Sequence, residues 1–162
     1  MAKYPLQPLL SVRKYREDAA QTQLRQAEHA LREAKEQLET REKELADFAL
    51  WRREEEDRRY ASIMHTLLSL DELDQFKAGL ARLRDKELLH EEQVIEARHK
   101  LEQARKDVEK AKDTVRLAQR ETARILAHKD IWLEAERKEA ERKEDLESEE
   151  FKPMSVDAVD ES

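Results

Sequence analysis

Most of the fold can be read from Leu101-Glu-Gln-Ala-Arg-Lys-Asp-Val-Glu-Lys-Ala-Lys-Asp-Thr-Val-Arg-Leu-Ala118, where apolar residues follow one another after alternate gaps of three and four. Such a spacing, with a mean of about 3.5 residues, is typical of helices that pack along a coiled-coil seam. The segment therefore predicts a helix with one narrow apolar stripe. The positions on that stripe are Leu101, Ala104, Val108, Ala111, Val115 and Ala118.

The same spacing extends in both directions and recurs in the first half of the chain. Toward the N-terminus the stripe continues through Ala97 and Val94 to Phe76, with Glu87 and His90 as polar gaps. A second stripe, interrupted at Arg41, comprises Ala20, Leu24, Ala27, Leu31, Ala34, Leu38, Leu45 and Phe48. Neither stripe is wide enough to stabilise a helix alone in water, so we expect the two helices to pack on each other.

A turn is expected between the two stripes. Ser69 followed by Glu72 has the form of a capping box, which marks a helix start, and Asp71 is a competing N-cap. We therefore predict an all-α fold, a long antiparallel two-helix coiled-coil hairpin over residues 1–151. Helix 1 would span about residues 9–68, the turn 68–72 and helix 2 about 72–148. At 1.5 Å per residue, helix 1 would be on the order of 90 Å long.

The size pattern of the two stripes suggests how they pair. One register sets Leu31 opposite Ala111 and Phe48 opposite Val94, so that a large residue always faces a small one. A second register alternates sizes too, but it sets Leu45 against His90 and Phe48 against Glu87. We favour the first, which also centres the turn beside the capping box.

Helix 2 should extend beyond the start of helix 1. This overhang contains one sequence twice, Glu134-Ala-Glu-Arg-Lys138 and Glu139-Ala-Glu-Arg-Lys143. Glu and Lys four residues apart form ion pairs that contribute about 0.2–0.5 kcal/mol each to an isolated helix. Residues 152–162 are acidic and aperiodic, so we expect a disordered tail there.

The composition argues against catalysis. The chain of 162 residues has one glycine and no cysteine, which excludes a phosphate-binding glycine loop and a thiolate metal site. The five histidines are too far apart in sequence for two of them to share a helix face as metal ligands. Carboxylates are abundant, but a hairpin lacks the desolvated pocket that a general acid needs. We expect no enzyme activity, no catalytic or metal site and no cofactor.

The charge pattern also restricts the partners. Charged residues make up 44% of the chain, the net charge is −7, and both signs are interleaved. No basic face is expected for nucleic acid, and no apolar run is long enough for membrane insertion. The run Arg52-Arg-Glu-Glu-Glu-Asp-Arg-Arg59 is interpreted as solvated helix surface, and His90 as a tolerated polar layer that helps to set the register.

Both helices carry more apolar residues near Phe48 than one narrow stripe can hold, and this excess has two interpretations. Leu50 and Trp51 cannot both join Phe48 on a narrow stripe, and helix 2 carries a similar excess at Leu88, Leu89 and Ile95. A heptad stutter would bring these residues into the seam. Alternatively, they form an exposed patch that binds a partner. Both interpretations remain open at this stage.

The two ends of the chain resemble a known family. The start, Lys3-Tyr-Pro-Leu-Gln-Pro-Leu-Leu-Ser-Val-Arg-Lys14, and the segment His128-Lys-Asp-Ile-Trp132 are similar to the opening and closing segments of the YscO proteins of type III secretion systems. That family looks like the counterpart of FliJ in flagellar export, and both are similar in shape to the paired helices of the rotary ATPase gamma subunit. The resemblance implies a monomeric cytoplasmic stalk at the cytoplasmic face of the secretion apparatus.

The resemblance also implies partners and contact residues. The open end would lodge in a hexameric export ATPase, the closed end would approach the export gate, and the protein would handle secretion chaperones. The implied ATPase-end residues are Leu6, Leu9, Leu10, Ile131, Trp132, Arg137, Lys138, Arg142 and Lys143. The implied gate or chaperone contacts are Phe48, Trp51, Tyr60, Phe76 and Leu83. Two alternatives are a generic coiled-coil scaffold or chaperone-like protein that dimerises through the exposed patch and, less favoured, a nucleic-acid-binding helical arm.

Overall fold

The computed structural model consists of two long helices that pack against each other as a hairpin, α1 (Gln7–Ile63) and α2 (Leu70–Asp160). It describes the backbone of residues 2–160 and the side chains of residues 2–151, and this part of the chain contains no strand. The predicted fold class, an antiparallel two-helix coiled-coil hairpin, is confirmed. The disordered tail expected at residues 152–162 lies beyond the described side chains, which end at residue 151, so it stays a prediction.

The chain divides into two compact units, each built from a piece of both helices. Unit 1 comprises residues 1–22 and 113–162, and unit 2 comprises residues 23–112. Unit 1 therefore holds the start of α1 and the C-terminal part of α2. Unit 2 holds the turn and the helix segments on either side of it.

In unit 2 the predicted stripe of α2 forms the core. Seven of its apolar residues are buried, whereas the stripe residues of α1 are half-buried. Because the α2 residues are more deeply buried, substituting them should reduce the stability of unit 2 more than equivalent substitutions on α1. The buried residues of α2 are Leu80, Leu83, Val94, Ala97, Leu101, Ala104 and Val108.

The turn lies a few residues earlier than the sequence suggests. The first helix ends at Ile63, and His65 adopts a positive φ of 69°, a conformation that ends a helix. Thr66 then donates both its backbone N–H and its Oγ1 hydroxyl to the Ile63 carbonyl, at 3.2 and 2.7 Å. The N-cap bond of the expected capping box is present, since Ser69 Oγ accepts from the Glu72 N–H at 3.1 Å. The C-terminal signal was missed because it contains neither glycine nor proline.

The favoured register is wrong, and the second register is the one found. Arg41 Nη1 lies 3.3 Å from Gln93 Oε1, and the rings of Tyr60 and Phe76 meet with centroids 5.4 Å apart, whereas the favoured register would set Arg41 near Leu101 and Tyr60 near Arg82. The favoured register would also place Glu87 opposite Glu55, and like charges facing each other repel. The positions of the charged residues therefore determined the register more than the matching of large with small apolar side chains did.

Unit 1 follows the same register. Arg13 Nη1 lies 2.6 Å from Glu121 Oε2, and Lys129 Nζ donates to Gln7 Oε1 at 3.0 Å. Leu10 is fully buried, and the buried hydroxyl of Thr122 donates to the Ala118 carbonyl at 3.0 Å. Beyond Leu133 every described residue of α2 is exposed.

Candidate functional site

The open end of unit 1 is organised around Tyr4, which is buried although it precedes α1. Its hydroxyl lies 2.6 Å from Nδ1 of His128 and can donate to a neutral imidazole protonated on Nε2. Its ring packs on Trp132 with centroids 5.5 Å apart, and Lys129 Nζ lies 5.9 Å from the ring centroid. These contacts hold the segment before α1 against α2 and leave a shallow groove beside Trp132 and Leu133.

The apolar residues expected at the ATPase end have two different roles. Leu10 is fully buried, and Leu9 and Trp132 are half-buried, so these three stabilise unit 1. Leu6 and Ile131 are exposed. Only the exposed pair and the open face of Trp132 are therefore available to a partner. The sequence did not reveal the anchoring role of Tyr4, since one aromatic residue before a helix carries no periodic signal.

The basic residues of the overhang form ion pairs along one helix. Arg137 bridges Glu134, at 2.5 Å, and Glu141, at 3.0 Å, while Arg142 lies 2.9 Å from Glu139. The arginines thus occupy the carboxylates that we expected to pair with Lys138 and Lys143, which are exposed. The hydrogen bond from Arg137 lowers the pKa of the Glu134 carboxyl. Because these groups are exposed, the pairs add little stability and can exchange for a partner's charges.

The residues expected to contact the gate form two aromatic pairs in unit 2. Phe48 packs on Trp51 with centroids 5.6 Å apart, and Tyr60 meets Phe76 edge to face at 5.4 Å. Trp51 and Tyr60 are each about half exposed and can be reached by a partner. Leu83 is only 5% exposed and belongs to the core of unit 2.

A polar cluster crosses between the helices of unit 2, formed by Arg52, Glu56, Arg84 and Glu87. Arg52 Nη1 lies 3.1 Å from Glu56 and Arg52 Nε lies 2.5 Å from Glu87, and Arg84 Nε donates to Glu56 at 3.3 Å. The Arg52–Glu87 contact is an ion pair whose N–H direction misses hydrogen-bond geometry, which leaves that N–H unsatisfied. The Arg52, Glu56 and Glu87 side chains are only 14%, 12% and 18% exposed.

The contacts of the polar cluster change the pKa of Glu56. Desolvation opposes its ionisation, but the hydrogen bonds from Arg52 and Arg84 outweigh that effect and lower the pKa of the Glu56 carboxyl. The sequence interpretation of Arg52 and Glu56 as solvated surface is wrong. The available signal was a residue of opposite charge at the seam of each helix, Arg52 and Glu87, which lie within about one helical turn of each other in either register.

The surplus apolar residues of unit 2 stay outside the seam. Leu50, Leu88, Leu89 and Ile95 are each more than half exposed. A stutter that brings them into the core is therefore absent. Their exposure agrees with the second interpretation, in which binding of a partner stays a prediction.

Within the described residues, two kinds of site are not found. No three His, Cys, Asp or Glu side chains among them converge as a metal ion would require. The same part of the chain contains no helix with an apolar segment long enough to span a bilayer.

Comparison with known proteins identifies the family. The sequence model described as type III secretion protein YscO matches residues 6–154. The crystal structure of YscO from Vibrio parahaemolyticus is similar with a TM-score of 0.86 and 26% identity, over 91% of this chain and 92% of that one. A YscO homolog from Chlamydia trachomatis shares the fold, with a TM-score of 0.77 and 23% identity over 100% and 99% of the two chains. A search of curated proteins gives no match.

The family match covers most of both helices, including the segment His128-Lys-Asp-Ile-Trp132, and it begins within the N-terminal segment, at residue 6. The hairpin of two helices agrees with it. The chain belongs to the YscO family of type III secretion proteins.

Proposed function

We propose that the chain is a non-catalytic coupling protein of type III export, in which unit 1 contacts the hexameric export ATPase and unit 2 contacts the export gate and secretion chaperones. It would act in the cytoplasm, at the cytoplasmic face of the secretion apparatus. The observation that carries the proposal is the open end of unit 1, where Tyr4, His128 and Trp132 hold both chain segments in one preformed surface. A preformed surface loses little conformational entropy on binding.

The charges of the overhang support an ATPase contact. Arg137 and Arg142 are exposed, and among the described side chains their ion pairs are with carboxylates of their own helix. A ring that presents carboxylates to this helix can replace those pairs at little cost, because exposed ion pairs are worth about 0–1 kcal/mol. Several neighbouring subunits could each offer such a contact in turn.

The test uses the purified full chain and the cognate export ATPase. We expect the rate of ATP hydrolysis and the fraction of hexamer to rise with the concentration of the chain. Trp132→Ala should weaken both effects, since it opens the anchored surface of unit 1. Trp51→Ala, which removes the other tryptophan of the chain, lies in unit 2 and should leave them unchanged. An ATPase that neither binds nor responds to the wild-type chain would remove the proposal.

The alternative scaffold function has one observation in its favour. Leu50, Leu88, Leu89 and Ile95 expose apolar surface that self-association would cover. Sedimentation over a range of concentrations distinguishes the two functions. We expect a monomer. A stable dimer that is lost in a Leu88→Gln, Ile95→Gln variant would favour the scaffold.

A further inference from the structure

The polar cluster divides the apolar seam of unit 2 into two parts. Residues 57–83, which lie between the cluster residues Glu56 and Arg84 and include the turn, form the turn-side segment. Residues 23–51 and 88–112, on the other side of the cluster, form the packed segment. The structure describes every residue of both segments. Each segment therefore has its own set of buried apolar side chains, and charged side chains separate the two sets.

The two segments, in which every residue is described, bury unequal amounts of apolar surface. In the packed segment five apolar residues are buried, whereas the turn-side segment buries two, Leu80 and Leu83. The apolar residues of the turn, such as Met64 and Leu67, are exposed and contribute little to that core. Since the burial of apolar surface is the main favourable term in folding, the turn-side segment is the less stable part of unit 2. The five buried residues of the packed segment are Val94, Ala97, Leu101, Ala104 and Val108.

Few contacts hold the turn-side segment closed. Besides the two buried leucines, they include the edge-to-face contact of Tyr60 with Phe76, whose ring centroids lie 5.4 Å apart. The segment also contains Gly79, which weakens a helix interior because glycine has the most backbone freedom to lose. Helix ends that lose their partner helix unwind, since short helices are only marginally stable in water. We therefore expect the turn-side segment to open at a lower cost in free energy than the packed segment.

The polar cluster couples the two segments less strongly than an apolar layer would. Arg52, Glu56 and Glu87 are largely buried, and the loss of hydration on burial offsets much of the attraction within an ion pair. The Nε–H of Arg52 also lacks a well-directed hydrogen bond. Because the net stabilisation across the cluster is small, opening on its turn side need not spread into the packed segment.

Solvent can reach the cluster, which lowers the cost of opening next to it. A shallow cleft borders it, and the Arg84 side chain is 67% exposed. Arg52 also pairs with Glu56 on its own helix, at 3.1 Å, so this pair can persist when α2 moves away. Water can then hydrate Glu87, and no charge is left buried without a partner. The cleft is lined by Arg52, Arg84, Glu87, Leu88 and Glu91.

We propose that the polar cluster is a hinge at which the turn-side segment opens as one unit while the packed segment stays closed. Opening separates α1 from α2 between the cluster and the turn, and closing restores the Tyr60–Phe76 contact and the burial of Leu80 and Leu83. The use of this opening in export rests on the proposed function. There, the hinge gives a coupling protein one segment that changes its conformation while the rest of unit 2 keeps its packing.

The main experiment measures hydrogen exchange of the purified wild-type full chain by mass spectrometry under native conditions. After correction for intrinsic exchange rates, we expect the amides of residues 76–83 to exchange at least tenfold faster than those of residues 97–108. The rates should change in one step at residues 84–87. Equal protection on both sides of the cluster would overturn the hinge, and so would a gradual loss of protection toward the turn, which is ordinary fraying.

A variant then removes the hinge. The triple variant Arg52→Leu, Glu56→Leu, Glu87→Leu replaces three largely buried charges by apolar side chains, a change that often stabilises a protein. We expect exchange of residues 76–83 to slow at least tenfold, toward the rate of the packed segment. The control Arg41→Leu makes the same kind of change at a half-buried seam position of the packed segment and should leave the turn-side exchange unchanged. Fast turn-side exchange in the triple variant would contradict the role of the cluster.

The same two variants test the use of the hinge in export. In secreting cells, the triple variant should reduce secretion at least threefold, and Arg41→Leu should secrete normally. Normal secretion by a triple variant whose turn-side exchange is slow would overturn this use. The two proposals fail in different ways, because hydrogen exchange is measured on the free chain. If the wild-type chain leaves the export ATPase unaffected, the coupling function is lost, whereas the exchange rates still decide whether the hinge exists.

Discussion

The overhang of unit 1 and the polar cluster of unit 2 are built from the same residue types but use them differently. In the overhang, Arg137 pairs with Glu134 and Glu141 of its own helix, and all three side chains are exposed. In the polar cluster, Arg52 pairs with Glu56 on α1 and with Glu87 on α2, and all three are largely buried. Ion pairs on this chain therefore support a single helix in one region and link two helices in the other.

The largest effect should come from placing a charge in the core of unit 2. Leu83→Glu puts a carboxylate at a position that is 5% exposed, without a partner. Burying an unpaired charge costs several kcal/mol, so we expect cooperative loss of helicity at a much lower temperature. Circular dichroism melting measures this. Leu88→Glu, on the exposed face of the same helix, should melt like the wild type, and equal melting curves for the two variants would contradict the buried seam.

The next largest effect is expected when an arginine of the polar cluster is removed, and the overhang provides the comparison. Arg52→Met leaves Glu56 and Glu87 without their shared cation in a largely buried setting, whereas Arg137→Met removes a solvated one. We expect the melting temperature to fall by several degrees for Arg52→Met and to stay within error for Arg137→Met. Similar losses in both variants would show that burial makes no difference to these ion pairs.

The register itself can be trapped, because the natural chain contains no cysteine. Under oxidising conditions, Leu45→Cys with His90→Cys should form a disulfide, whereas Leu45→Cys with Ala97→Cys, which samples the register that size matching favours, should not. Gel mobility without reductant gives the yields. Dominant cross-linking of the 45/97 pair in the unaltered background would contradict the structure.

A smaller effect should appear on acidification. The pKa of Glu56 is lowered in the folded protein, so its contribution is fully present above the ordinary carboxyl pKa of about 4.3 and is lost as the pH falls through the folded value. Urea unfolding should therefore show wild type more stable than Glu56→Gln at pH 7, with the difference shrinking below about pH 4. A difference that grows on acidification would reverse the sign that the arginine contacts imply.

The smallest effect concerns the single glycine. A Cβ at Gly79 would lie 3.0 Å from Arg59 Nη1, the end of a flexible side chain that can move away. Alanine has the higher helix propensity, so Gly79→Ala should stabilise unit 2 by up to about 1 kcal/mol. Urea unfolding measures the change. Destabilisation would mean that Arg59 cannot leave its place beside Glu55.

Sequence reasoning located the candidate sites less well than the fold. Trp132 was singled out as an end residue, and the structure adds Tyr4 and His128 as the contacts that anchor it. Leu83 was proposed as a surface contact, although its heptad position already placed it on the buried stripe. The polar cluster was missed because charged residues were assigned to the surface one helix at a time, and their partners lie on the other helix.

The two apolar stripes, the absence of helix breakers and the capping box at Ser69 are local properties, so the sequence alone determined the helices, the hairpin and the family resemblance of the terminal segments. The register was decided only in the tertiary structure. Leucine and alanine alternate along both stripes, so a shift of one heptad leaves the apolar packing nearly unchanged. The choice depends on charges such as Arg13, which meets Glu121 in the register found but would face Lys129 in the other, and such attraction or repulsion is set only when the two helices lie side by side.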